Sequence, residues 1–316
     1  MMKTKRLRSV ASPLLSAFAP VALASALVLA CDAQASGDDD QTGGTTSSNS
    51  GGKSSSGGST GSGGTSSGSG GSTSPAGFGN PAQAGMGSSS DRWAKAGVTR
   101  DGVSYFFMAN GWGPGFQSQS VEFTGTAFTV TSMQGKQGSN YEPASYPTVF
   151  CGAYSDSKSG ECGLPNTLAA IQTLRTGWRW KPNGNTGQYN AAYDIWLSNT
   201  NATSGLSAYL MVWLRDPPGQ QPAGRLQTSN VTVSGAPSTW NLWVGNVGNV
   251  PYVAYVRPEG SDLLEAEFDV MDFVRDVRMR NISLPGSQIV SVAVGFEIWN
   301  GPITNLVSED FYVDVN

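Results

Sequence analysis

The sequence predicts an all-β domain, a sandwich or jelly roll with one helix on its outer face. Two observations carry this reading. From Trp93 onward, short apolar runs alternate with Gly, Asn, Pro and Ser, as in a chain of strands joined by turns. One stretch alone, residues 268–280, spaces its apolar residues as a helix does.

The elements follow in chain order. Lys3, Lys5, Arg6 and Arg8 make a basic start, and an apolar stretch runs on to Ala30. Pro13 and Pro20 interrupt it, and the remaining run 21–30 is too short to span a bilayer. Residues 1–30 therefore read as a signal peptide. Leu27-Val28-Leu29-Ala30-Cys31 has the small residue before a cysteine that a lipid-accepting site needs. Ala33-Gln34-Ala35 offers a competing site for ordinary cleavage, which would leave a secreted protein. The lipoprotein reading is adopted because Cys31 has no evident disulfide partner. Residues 31–75 are mostly Ser, Gly and Thr, which bury no apolar area; the forty after residue 35 reach about 35 Å as a coil. They form a tether for a globular domain at 76–316. The expected location is the cell envelope, with contact to the membrane by the lipid anchor only and the domain acting as a monomer.

Within that domain, strands are expected at 103–108, 127–133, 187–197, 206–214, 228–233, 240–244, 250–256, 289–298 and 309–315. In the helical stretch, Met271, Val274 and Val277 share a face. Asp269 and Asp272 lie near its start and Arg275, Arg278 and Arg280 near its end, which suits the helix dipole. Cys151 and Cys162 are close in sequence, and in an exported domain they read as a disulfide closing one loop rather than two free thiols.

Composition excludes much chemistry. Charged residues are 13% of the chain and the net charge is −4, so no basic footprint for nucleic acid exists. Histidine is absent, which removes Ser-His-Asp and Cys-His catalysis and histidine metal sites. Acid–base work falls to carboxylates, Tyr or Lys, and no metal or cofactor is expected. A neutral polar partner such as a polysaccharide suits this balance, and the 9 Trp, 10 Tyr and 12 Phe could stack on sugar rings. Most of these rings belong to a core; Trp196, Trp240 and Trp243 are expected there or lining the sandwich.

Several segments, in order, resemble bacterial members of glycoside hydrolase family 12. They are Asn110-Gly111-Trp112-Gly113, Ser145-Tyr146-Pro147-Thr148-Val149-Phe150, Tyr189-Asn190-Ala191-Ala192-Tyr193-Asp194-Ile195-Trp196-Leu197 and Met211-Val212-Trp213-Leu214. Phe268-Asp269-Val270-Met271-Asp272-Phe273-Val274-Arg275 and Gly295-Phe296-Glu297-Ile298-Trp299 complete the set. The resemblance implies a concanavalin-like jelly roll of two antiparallel sheets around a long cleft, one outer helix, and retaining hydrolysis of β-1,4-glucans. It assigns Trp112 to stacking on substrate, Asn110 to binding its hydroxyls, and Met211 and Trp213 to the cleft. Glu297 falls at the acid/base position, and Asp194 at the carboxylate that supports the nucleophile.

Retaining hydrolysis needs two carboxyl groups roughly 5–5.5 Å apart. The family pattern is Glu, apolar, Met, apolar, Trp, whereas this strand reads Tyr209-Leu210-Met211-Val212-Trp213. Alternation puts Tyr209, Met211 and Trp213 on one face, with Tyr209 where the nucleophile Glu belongs. No Glu occurs between Glu161 and Glu259. A lone Glu297 is also expected to lose part of the repulsion that raises an acid's pKa. Two further departures are the lack of any cysteine between Cys31 and Cys151, and Ala153 where the family has a His. The expected function is a surface-tethered β-glucan-recognising protein with hydrolysis lost or strongly impaired. The alternative is an active glycosidase with an altered nucleophile, either Tyr209 or Asp194 acting through water.

Overall fold

A computed structural model describes residues 77–78, 85–139 and 142–316. The expected signal peptide, Cys31 and the tether lie outside the described residues. In chain order the strands begin with β1 (Met86–Ser89), β2 (Lys95–Arg100), β3 (Val103–Met108), β4 (Phe116–Thr124) and β5 (Ala127–Gly135). Next come β6 (Thr148–Tyr154), β7 (Ser157–Lys158), β8 (Asn166–Thr167), β9 (Leu174–Lys181), β10 (Gln188–Tyr189), β11 (Ala191–Ser198) and β12 (Ala208–Arg215). After β13 (Arg225–Thr232), β14 (Thr239–Val247), β15 (Val250–Val256) and β16 (Glu265–Asp269) comes the helix α1 (Val270–Met279). The chain closes with β17 (Gln288–Gly295), β18 (Ile298–Asn300) and β19 (Ile303–Val315).

Two large sheets pack into a jelly roll. The smaller runs β1-β4-β5-β19-β9-β16; the larger runs β13-β14-β15-β12-β11-β17-β6-β3-β2, with β7 beside β6 and β8 beside β17. Strands β10 and β18 pair separately. Every ladder is antiparallel except β12 with β15, which run parallel.

The main core lies between the sheets, and alternation explains who enters it. On β11, Tyr193, Ile195 and Leu197 point into it, and on β12 Leu210, Val212 and Leu214 do. They meet Trp178, Trp180 and Phe311 of the smaller sheet. Each such Leu, Ile or Val contributes about 1.5–3 kcal/mol by leaving water. The opposite face of the larger sheet is covered as well, so β11 reads as a nearly continuous apolar run, buried at every position.

The helix begins two residues later than expected, because Phe268 and Asp269 end strand β16. Asp269 caps it, accepting from the Met271 N–H, and also accepts from the Leu174 N–H of β9. Phe273 enters the core edge-on to Trp240 and Tyr255, so the helix covers the inner face of β14 and β15.

Several strands were not separately legible. Strand β4 is mixed and polar because one face is solvated, and its buried Gln119 is retained by donating to the Ala109 carbonyl. Two expected strands are each broken in two. The stretch 187–197 interrupts at Asn190, and 289–298 interrupts at Phe296 and Glu297. Both breaks fall at one place, where Asn190 N–H donates to the Glu297 carbonyl at 3.0 Å.

Candidate functional site

The face of the larger sheet turned away from the main core carries two adjoining clusters of buried, mostly aromatic side chains. One gathers Met211, Trp213, Tyr252 and Trp299; the other gathers Tyr146, Phe150, Tyr154 and Trp196. Tyr209 touches both, so it stands at their junction.

Glu297 is placed by its neighbour across the break. The Asn190 side chain accepts from the Glu297 N–H at 2.9 Å and donates to the carboxyl Oε2 at 2.5 Å. Asn190 is itself fully buried, so one fixed amide holds both the backbone N–H and the carboxyl of Glu297. Burial pushes the Glu297 pKa up to about 8, the Asp194 charge adds to the rise, and the Asn190 bond opposes it. The expectation of a diminished rise is therefore corrected: burial supplies most of it, and Asp194 is a second carboxylate.

Asp194 sits in mid-strand, and its bonds are to side chains. Its Oδ2 accepts from the Tyr154 hydroxyl at 2.9 Å and from Trp196 Nε1 at 2.8 Å. Its Oδ1 is buried and has no hydrogen-bond partner among the described residues. Burial raises its pKa to about 6 against the pull of those two bonds. Tyr154 and Trp196 also stack on one another, with centroids 4.1 Å apart.

Tyr209 lies across the ladder from Trp196, ring edge to face at 6.0 Å, and is half-buried. Burial, then the Asp194 charge, pushes its phenol up to about 12. Met211 and Trp213 share its face, but both are nearly covered, at 6% and 1% exposed. Trp213 forms a floor against Trp299, 5.8 Å away, and Met211 Sδ accepts from the Tyr252 hydroxyl.

The loop after β3 carries Asn110 and Trp112. Asn110 takes a left-handed conformation, φ 47°, and its carbonyl accepts from the Tyr146 N–H. Gly113 N–H donates to Ala144, and a Cβ there would come within 2.1 Å of the Pro143 carbonyl, so only glycine fits. Trp112, between the glycines, keeps part of its surface in solvent. Cys151 and Cys162 are bonded and lie away from this face, with Cys151 in the main core. Among the described residues no acidic or cysteine cluster could hold a metal.

Residue reasoning missed Asn190, Tyr154 and the side on which two tryptophans lie. Trp240 is in the core, but Trp196 and Trp243 are on the cleft face. The signal for Trp196 was present: it is two residues from Asp194 on one strand. Nothing local announced Asn190 or Tyr154, which reach the site across the ladders.

The family model of glycosyl hydrolase family 12 matches residues 103–316. The chain belongs to glycosyl hydrolase family 12. Among curated relatives, a probable xyloglucan-specific endo-β-1,4-glucanase A of Aspergillus terreus is 28% identical over 48% of this chain and 59% of its own length. A probable cellulase Cel12b of Mycobacterium tuberculosis is 30% identical over 42% of this chain and 83% of its own. The chain thus spans about three fifths of the length of the Aspergillus relative that it matches. Among solved structures, the endo-1,4-β-glucanase CelB2 superposes with TM-score 0.63 at 29% identity, covering 72% of this chain and 99% of that one. Endoglucanase Cel12A from Rhodothermus marinus gives 0.63 at 30%, covering 72% and 98%. The fold is the family 12 jelly roll, and the scaffold is that of its endoglucanases and xyloglucanases.

Proposed function

We propose that the domain recognises β-1,4-glucans of the cellulose or xyloglucan type at the cell surface, with retaining hydrolysis lost or strongly impaired. The observation that carries this is Tyr209. It occupies the centre of the cleft face, at the position where the family pattern has its nucleophile, and presents a half-buried phenol. With a pKa of about 12, roughly one phenol in 10⁵ is ionised at neutral pH, too few for an unassisted nucleophile. Trp112, Asn110 and the ring of Tyr209 supply stacking and hydroxyl-binding groups that need no chemistry. The names of the relatives, cellulase and xyloglucan-specific endoglucanase, support the substrate class.

One observation favours the second reading, an active glycosidase. Glu297 at about 8 and Asp194 at about 6 straddle neutrality, so one is protonated while the other is ionised. Asp194, whose buried Oδ1 has no hydrogen-bond partner among the described residues, would then activate a water admitted beside it.

The test is the purified protein on soluble β-1,4-glucans. Binding with almost no release of reducing sugar is expected, and Tyr209→Glu should raise hydrolysis by orders of magnitude with retained anomeric configuration. A void left by the smaller side chain limits the gain, since misplacement of about 1 Å can cost a hundredfold. Strong wild-type hydrolysis that survives Tyr209→Phe but not Asp194→Asn would overturn the binding reading in favour of the second.

A further inference from the structure

Strand β14 sends its two tryptophans to opposite faces. Trp240 is fully buried in the main core with Leu242. Trp243 falls on the other face, packs against the cluster of Met211, Trp213 and Tyr252, and remains half-buried. Its ladder neighbours are Ala254 of β15 and Leu226 of β13. Leu226 is 44% exposed on an edge strand. Ala254 offers only a methyl group, so the cleft floor is low beside the indole.

An exposed leucine next to a half-exposed indole, on an edge strand, invites pairing with other chains and is normally avoided. Here the two are continuous with the cleft face. The next edge-strand residues Gln227, Thr228 and Ser229 are polar and exposed, but Thr228 pairs with Leu242 of the core-facing side, so the ledge beside Trp243 is itself apolar. The sheet order β12-β15-β14 puts Trp243 in one row with Ala254 and Met211, and Tyr209 lies two residues along β12 from that row, so the two backbones are about 12 Å apart, a little over two pyranose rings. Trp112, from the loop after β3, lies at the opposite end of the same strand order.

We infer that Trp243 and Leu226 form a distal subsite that stacks on a glucosyl unit of a β-glucan chain about two rings beyond Tyr209. The inference rests on the glucan reading of the cleft. It makes recognition depend on chain length: short oligosaccharides are held at Tyr209, and longer ones gain the ledge.

Calorimetry of the full-length protein with cello-oligosaccharides from trisaccharide to hexasaccharide tests it. Trp243→Ala should lower affinity for the hexasaccharide about fivefold to tenfold and leave the trisaccharide unchanged. Trp243→Phe should keep most of the affinity because it keeps a ring. Leu226→Ser, at an exposed position that cannot unfold the core, should give a smaller loss with the same length dependence, and it carries the test if Trp243→Ala does not fold. Loss that is equal for all lengths, or absent in all three variants, overturns the subsite. A wild-type protein that binds no oligosaccharide at any length overturns the glucan reading, and the subsite with it.

Discussion

Two regions of this molecule bury carboxylates and treat them in opposite ways. At the edge between the sheets, Asp310 is fully buried and meets Arg100, itself 3% exposed, through Nε at 2.8 Å and Nη2 at 3.1 Å. Thr126 donates to the same carboxylate. In the cleft, Asp194 and Glu297 have amide, phenol and indole donors, and among the described residues neither makes an ion pair. A matched carboxylate holds structure together. An unmatched pair costs stability, and such costs are kept where a site needs them.

The sharpest way to break this comparison is to unmatch the first region. Arg100→Met should cost about 3–5 kcal/mol in urea unfolding, because it removes the guanidinium that faces the buried Asp310 carboxylate. Arg100→Met combined with Asp310→Leu should recover most of that loss. A single variant within about 1 kcal/mol of wild type would mean that Asp310 is not held by its ion pair.

A smaller effect belongs to the cleft, and its sign is opposite to that of an ion-paired acid. Glu297 rises from 4.5 to about 8 and Asp194 from 3.8 to about 6. The folded state therefore keeps protons that the unfolded chain has released once the pH exceeds about 4. Stability should fall as pH rises toward about 8, by roughly 2–3 kcal/mol after allowance for solvent screening. Urea midpoints taken across that range check it. Glu297→Gln should flatten most of the slope, and an unchanged slope would place its origin outside the cleft.

The smallest effect sharpens the contrast with a third carboxylate. Asp269 is matched mainly by backbone N–H groups of Met271 and Leu174 on one oxygen, with the exposed Arg275 guanidinium 3.3 Å from the other. Asp269→Ala should lower stability by about 1 kcal/mol and leave glucan binding untouched. A loss of binding would show that the helix communicates with the cleft.

What the sequence determined by itself is what depends on neighbours along the chain. Alternation marked β3 and β15 to the residue, and it put Tyr209, Met211 and Trp213 on one face. Helical spacing with an acidic start marked α1 within two residues. The family motifs pointed to Glu297 and Asp194. Only the tertiary structure decided what depends on residues far apart in the chain. Asn190 meets Glu297 across 107 positions and Tyr154 meets Asp194 across 40, while Arg100 meets Asp310 across 210. Period-two hydrophobicity says which side of a strand a residue takes, but not which strand lies beside it or where a ladder breaks. The two breaks at Asn190 and Glu297 therefore looked like continuous strand. Whether a carboxyl keeps its proton is set by burial and by charges that the folded sheets bring near, and no local pattern encodes that.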